Sequence, residues 1–132
     1  MNRHRMIDVL AVWLGGTLGT GVRVMITSAA PAAAIPIATF FINVVGAFIL
    51  GLLLEGLTRP GPRPRARLIR RLAGTGFLGG FTTYSALALQ VVDLQRAGSG
   101  GLAVAYAVGS LLLGTAAAGV GILLGRGRSS RR

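Results

Sequence analysis

Few side chains in this sequence can do chemistry, and those that can are amides and hydroxyls set in apolar surroundings. Asn43 lies inside the run ATFFINVVGAFILG, where a side-chain amide must find partners. Two readings fit it: an interhelical hydrogen bond, worth about 0.6 to 2 kcal/mol in a membrane, or N–H donors offered to an anion. Tyr106 and Ser110 are four residues apart, so on a helix both hydroxyls share a face that Gly114 continues. Such a stripe is either glue between helices or a polar path. Gly76, Gly79 and Gly80 run straight into Thr82, Thr83 and Ser85 in the string GFLGGFTTYS, which predicts a break in helical order. Backbone groups freed inside a membrane are tolerated only where they are buried in protein, line a cavity or coordinate something. The break is therefore a candidate ion site, and the alternative is a glycine kink stitched by threonine hydroxyls. Arg23 is the one intramembrane cation. It can anchor its helix by snorkelling, cap helix ends or concentrate anions.

What is missing narrows the chemistry further. Asp8, Glu55 and Asp93 are the only acids, and each falls at the end of an apolar segment. A proton-coupled exporter needs a mid-membrane carboxylate as its exchange site, so a four-helix multidrug-type exporter is the weaker transport reading. No acid, base and nucleophile cluster together, which argues against an enzyme. The chain has no cysteine, which excludes disulfides, thiolate metal sites and cysteine nucleophiles. His4, the sole histidine, sits in the polar N-terminal flank. The remaining donors are amide, hydroxyl and aromatic groups, which suit a small anion or a neutral solute.

The elements that must hold these groups are membrane spans. The 132 residues are 52% hydrophobic and 13% charged, too apolar for a soluble domain of this size. A spanning helix needs about 20 mostly apolar residues, and four stretches qualify: 6–28, 35–57, 72–92 and 101–124. Together they predict a single all-α integral membrane domain over 1–132, with the third helix broken at Gly-Gly-x-Thr-Thr. The first stretch is read as a retained helix and not as a signal peptide, because it exceeds a typical h-region, contains Arg23 and precedes three further spans. The segments SAAPAAAIP, TRPGPRPRAR and RAGSGG punctuate the chain with proline and glycine and read as the three loops. Most of the 21 glycines lie inside the spans. Their expected use is close approach of helix backbones, with Gly15, Gly16, Gly19, Gly21, Gly46, Gly51, Gly109 and Gly114 in that role.

All fourteen basic residues are arginine. Four crossings place Arg3 and Arg5, the segment Arg59 to Arg71, and Arg126 to Arg132 on one side. Twelve arginines gather there, against Arg96 and Arg23 toward the other face. The positive-inside rule then predicts a multi-pass protein of the cell (inner) membrane with both termini cytoplasmic. Anionic membrane lipid accounts for the basic loop without nucleic acid.

With these residues in place, the sequence resembles the Fluc or CrcB family of bacterial fluoride-specific ion channels. The second span carries the family's threonine, phenylalanine, asparagine and glycine pattern with Asn43 as the pore asparagine. GFLGGFTTYSALA is similar to the Gly-Gly-x-Thr-Thr-Phe-Ser signature, and GGTLGTGVR ends in the family's arginine as Arg23. The resemblance implies an antiparallel dual-topology dimer with two pores. It also implies a structural, non-transported Na+ at the dimer centre, bound by backbone carbonyls of Gly79 and Thr82. The fluoride path would be lined by Asn43, Tyr84, Ser85, Leu87, Tyr106 and Ser110, with Arg23 as a structural or vestibule residue. Passive export of fluoride ion would lower cytoplasmic fluoride toxicity. Tyr84 and Leu87 stand where the family has a phenylalanine pair, and Gly114 stands at the third polar-track position. The one-sided arginines fix one orientation, so the expected dimer partner is a second, oppositely biased homologous subunit. In such a heterodimer this chain either conducts or serves as a non-conducting scaffold.

Overall fold

The computed structural model describes residues 3–31, 36–56 and 64–129. Helix α1 (Arg3–Ala29) and helix α2 (Ile37–Gly56) are unbroken. The third expected span is composite: a short helix α3 (Pro64–Ile69), a π-helical stretch Arg70–Leu78, one turn α4 (Gly79–Phe81) and then α5 (Tyr84–Arg96). Helix α6 (Gly100–Ser129) ends the fold. The described residues form no strand. Helices α1, α2 and α6 each contain a segment long and apolar enough to cross a membrane.

The composite span starts at Pro64, well before the expected 72, so the proline-rich loop is shorter than its composition suggests. A proline at the first helical position gives up an N–H that would have had no helical partner, and the arginines after it are good helix formers. The rest of that loop, with Arg59, Pro60, Pro62 and Arg63, lies outside the described residues, as do residues 32–35 of the first loop and Arg131 and Arg132. The third loop is a tight cap. Gly98 takes a left-handed φ of 77°, while Gly98 N–H donates to Gln95 O and Ser99 N–H to Leu94 O. This is the 5→2 and 6→1 pattern that closes a helix on a glycine.

The helices pair in two parallel couples. Helix α1 runs alongside the π-helical stretch, with Gly15 against the backbone of Leu72 and Phe77, and Gly19 against Phe77. In return, Gly76 meets Val12 O and Gly80 meets Gly16 O. Glycines four apart on both helices thus interlock, which lets two backbones touch where packing is the main driving force. The π-helical stretch is the segment that meets this glycine face. Helix α2 runs alongside α6, with Gly51 against Ala118 and Gly121 against Phe48. The composite span lies antiparallel to α2, Gly46 meeting the Thr82 methyl. Ile42, Leu78 and Phe81 form one buried cluster there, and Leu94, Ala103 and Tyr106 a second. Gly21, Gly109 and Gly114 make no such approach within the chain, since among the described residues no atom beyond their own helix backbone lies within 4 Å of where their Cβ would stand.

Glycines line the closest helix contacts, and bulky side chains cover the outside. Trp13, Leu18 and Met25 on α1 and Leu111, Leu112 and Leu123 on α6 all point outward and are more than half exposed. Large apolar side chains facing out along whole helices are what lipid requires and water does not. At the arginine-rich end, Arg71 pairs with Asp8 at 3.3 Å and Arg126 with Glu55 at 3.4 Å. The starts of α1 and the composite span, and the ends of α2 and α6, therefore lie at their expected shared ends.

Candidate functional site

Helical order stops at two residues. Thr82 (φ −77°, ψ 157°) and Thr83 (φ −151°, ψ 123°) are extended, whereas Gly79 and Gly80 remain helical. The glycines' role is close approach to α1 or open space, and the threonines carry the change of direction. Their hydroxyls stitch both ends: Thr82 Oγ1 donates to Leu78 O at 2.8 Å, and Thr83 Oγ1 accepts from Ala86 N–H at 3.2 Å.

Several backbone groups around the break lose their helical partners. Thr83 N–H, whose helical acceptor would be Gly79 O, donates instead to Asn43 Oδ1 at 2.8 Å. Asn43 Nδ2 returns the bond to Thr83 O at 3.0 Å. One amide thus satisfies both backbone groups of an extended residue, as a neighbouring strand would. Ala86 N–H, which would have capped Thr82 O, is taken by the Thr83 hydroxyl. Gly80 O accepts from Thr20 Oγ1 at 3.3 Å and from Arg23 Nε at 3.2 Å. Of the three roles open to Arg23, capping a helix end is the one its geometry displays. The carbonyls released from their helical donors include those of Gly79 and Thr82. Gly79 is exposed, with open space beyond its Cα. Neutral carbonyl oxygens released from helical donors are chemically suited to a hard cation.

A second set of polar groups continues from Asn43 along α2, α5 and α6. Thr39, one helical turn from Asn43, is almost fully buried and accepts from Gln90 Nε2 at 2.8 Å. Gln90 Oε1 accepts from the Tyr106 hydroxyl at 2.8 Å, which also lies 3.3 Å from Pro36 O. One turn further along α6 is Ser110, 7% exposed, whose hydroxyl makes no hydrogen bond among the described residues. Thr17, Thr27 and Thr115 show the usual alternative, each donating to the carbonyl four residues back. Ser110 does not, so a buried hydroxyl remains available. Asn43, Thr39, Gln90, Tyr106 and Ser110 therefore form a line of amides and hydroxyls without a carboxylate. Sequence reasoning missed Gln90 and Thr39 as members. Their signal was faint: a glutamine in the second half of a broken span, and a threonine four residues before Asn43.

Of the remaining expected residues, two face outward and one packs against the cluster that holds Tyr106. Tyr84 is 81% exposed on the outside of the chain, Ser85 is exposed and lies 3.3 Å from the Thr83 hydroxyl, and Leu87 packs against the Leu94, Ala103 and Tyr106 cluster.

Residues 10–122 match the family model described as CrcB-like protein, Camphor Resistance (CrcB). The chain belongs to the CrcB family. Its relatives include "Fluoride-specific ion channel FluC 2" of Leifsonia xyli, 48% identical over 95% of this chain and 88% of the relative. "Fluoride-specific ion channel FluC 1" of Cutibacterium acnes is 43% identical over 96% and 94%. "Fluoride-specific ion channel FluC 1" of Mycobacterium bovis is 37% identical over the full length of both. CrcB membership and the apolar helices together make this a multi-pass membrane protein.

Proposed function

We propose that this chain is a subunit of a fluoride-selective channel that lets fluoride ion leave the cytoplasm passively. The observation that carries the reading is the acid-free line of Asn43, Gln90, Tyr106 and Ser110, with its orphaned buried hydroxyl, in a chain whose relatives are named fluoride-specific channels. Amide and hydroxyl donors stabilise a small anion without a coupled proton. Hydrogen fluoride enters as a neutral acid and dissociates inside, and a negative-inside potential drives the anion out by about 2.3 kcal/mol per 100 mV. No exchange carboxylate is needed, which separates this reading from the proton-coupled exporter.

A structural sodium at a dimer centre is part of the proposal, held by Gly79 O and Thr82 O. The sodium would supply a fixed positive charge there. Asn43 and Thr83 keep those carbonyls free by diverting the N–H groups that would otherwise cap them. Tyr84, just beyond the break, is 81% exposed, which suits a site completed by a partner subunit. Twelve arginines at one end favour a cytoplasmic orientation for that end, so the antiparallel partner is a homologue of opposite bias. In a strain lacking its fluoride channels, fluoride tolerance should return when this gene is expressed with that homologue. Rescue by this gene alone would overturn the heterodimer, and no rescue in either pairing would leave the scaffold role as the better reading.

A further inference from the structure

The chain carries more positive charge at one end than it can neutralise. Of the three acids, Asp8 and Glu55 are committed to Arg71 and Arg126, and Asp93 lies near the far end of α5 beside the Gly98 turn. Arg5, Arg65, Arg67 and Arg70 are exposed at the starts of α1 and the composite span, and no acid in the sequence remains for them. Their counter-charge must come from outside the chain.

The same short stretch also exposes bulky apolar side chains. Leu68, Ile69 and Leu72 are between 40% and 46% exposed and lie among the arginines in sequence. A dissolved polyanion would leave those side chains in water. A lipid leaflet takes both, acyl chains covering the leucines and isoleucine while guanidinium groups pair with phosphate. The location agrees, because α3 lies where the span begins, at headgroup depth.

We propose that α3 and the first turn of the π-helical stretch form an interfacial binding surface for anionic phospholipid, engaged through Arg65, Arg67 and Arg70 with Arg5 alongside. This rests on membrane insertion and not on what the pore carries. The surface holds the end of the composite span at the headgroups and gives the chain a preference for acidic leaflets.

Native mass spectrometry of the full-length protein in detergent, titrated with phosphatidylglycerol or phosphatidylcholine, reads the preference directly. Phosphatidylglycerol should be retained about tenfold or more over phosphatidylcholine, and the triple substitution R65Q/R67Q/R70Q should remove most of that ratio. The lysine triple R65K/R67K/R70K, which keeps the charge and controls for folding, should retain the greater part of it. Thermal melting with phosphatidylglycerol should show a shift that inorganic phosphate at equal concentration does not produce. Equal retention of the two lipids, an unchanged ratio in the glutamine variant, or displacement of the lipid by a short RNA would each overturn the proposal.

Discussion

Asn43 and Ser110 illustrate two fates for a polar group in lipid. Asn43 is engaged at both amide atoms by the Thr83 backbone, so much of its donor capacity is spent holding the break. Ser110 is buried and engaged by nothing among the described residues. The two positions therefore respond differently to substitution. Ser110→Ala removes a hydroxyl that makes no bond within the chain, so melting temperature should stay unchanged or rise slightly while fluoride flux falls. Tyr106→Phe strips Gln90 Oε1 of its donor and should cost about 1 to 3 kcal/mol, seen as a lower melting temperature in detergent. Equal stability losses at the two positions would remove the distinction. The sequence alone left both residues between glue and path, because spacing establishes a shared face but not who bonds to whom.

At the scale of elements, the glycines sort into two kinds that sequence could not separate. Gly19 and Gly76 sit backbone to backbone across α1 and the composite span, while Gly109 on α6 has open space. Gly19→Val should prevent α1 from seating and yield aggregated protein on size exclusion, whereas Gly109→Ala should leave the single chain folded. An assembly defect confined to Gly109→Ala would instead mark that face as a contact between subunits. Three of the four expected spans are helices long and apolar enough to cross a membrane, and they were legible from hydropathy because lipid demands long apolar stretches. The details of the third expected span were not. The string GGFTTYS pointed to a break, but only backbone geometry distinguishes helical Gly79 and Gly80 from extended Thr82 and Thr83. The π-helical register of Arg70–Leu78 leaves no mark in composition, and Gln90 reads as an ordinary polar residue until Thr39 and Tyr106 fold against it.

For the molecule as a whole, charge placement and the acid-free interior serve different ends. In the proposed topology the arginines orient the bundle and meet the headgroups, while the line from Thr39 to Ser110 offers donors without a proton to exchange. Passive fluoride conduction past Asn43 is the proposed activity. It is tested most directly by co-expressing the chain with an oppositely biased homologue, reconstituting the pair into fluoride-loaded liposomes and following efflux with a fluoride electrode under a potassium-valinomycin potential. Efflux should be rapid, independent of a pH gradient, selective over chloride, and at least about tenfold slower when Asn43→Asp places a negative charge beside the Thr83 carbonyl. Efflux that requires a proton gradient, or that is unchanged by Asn43→Asp, would contradict it.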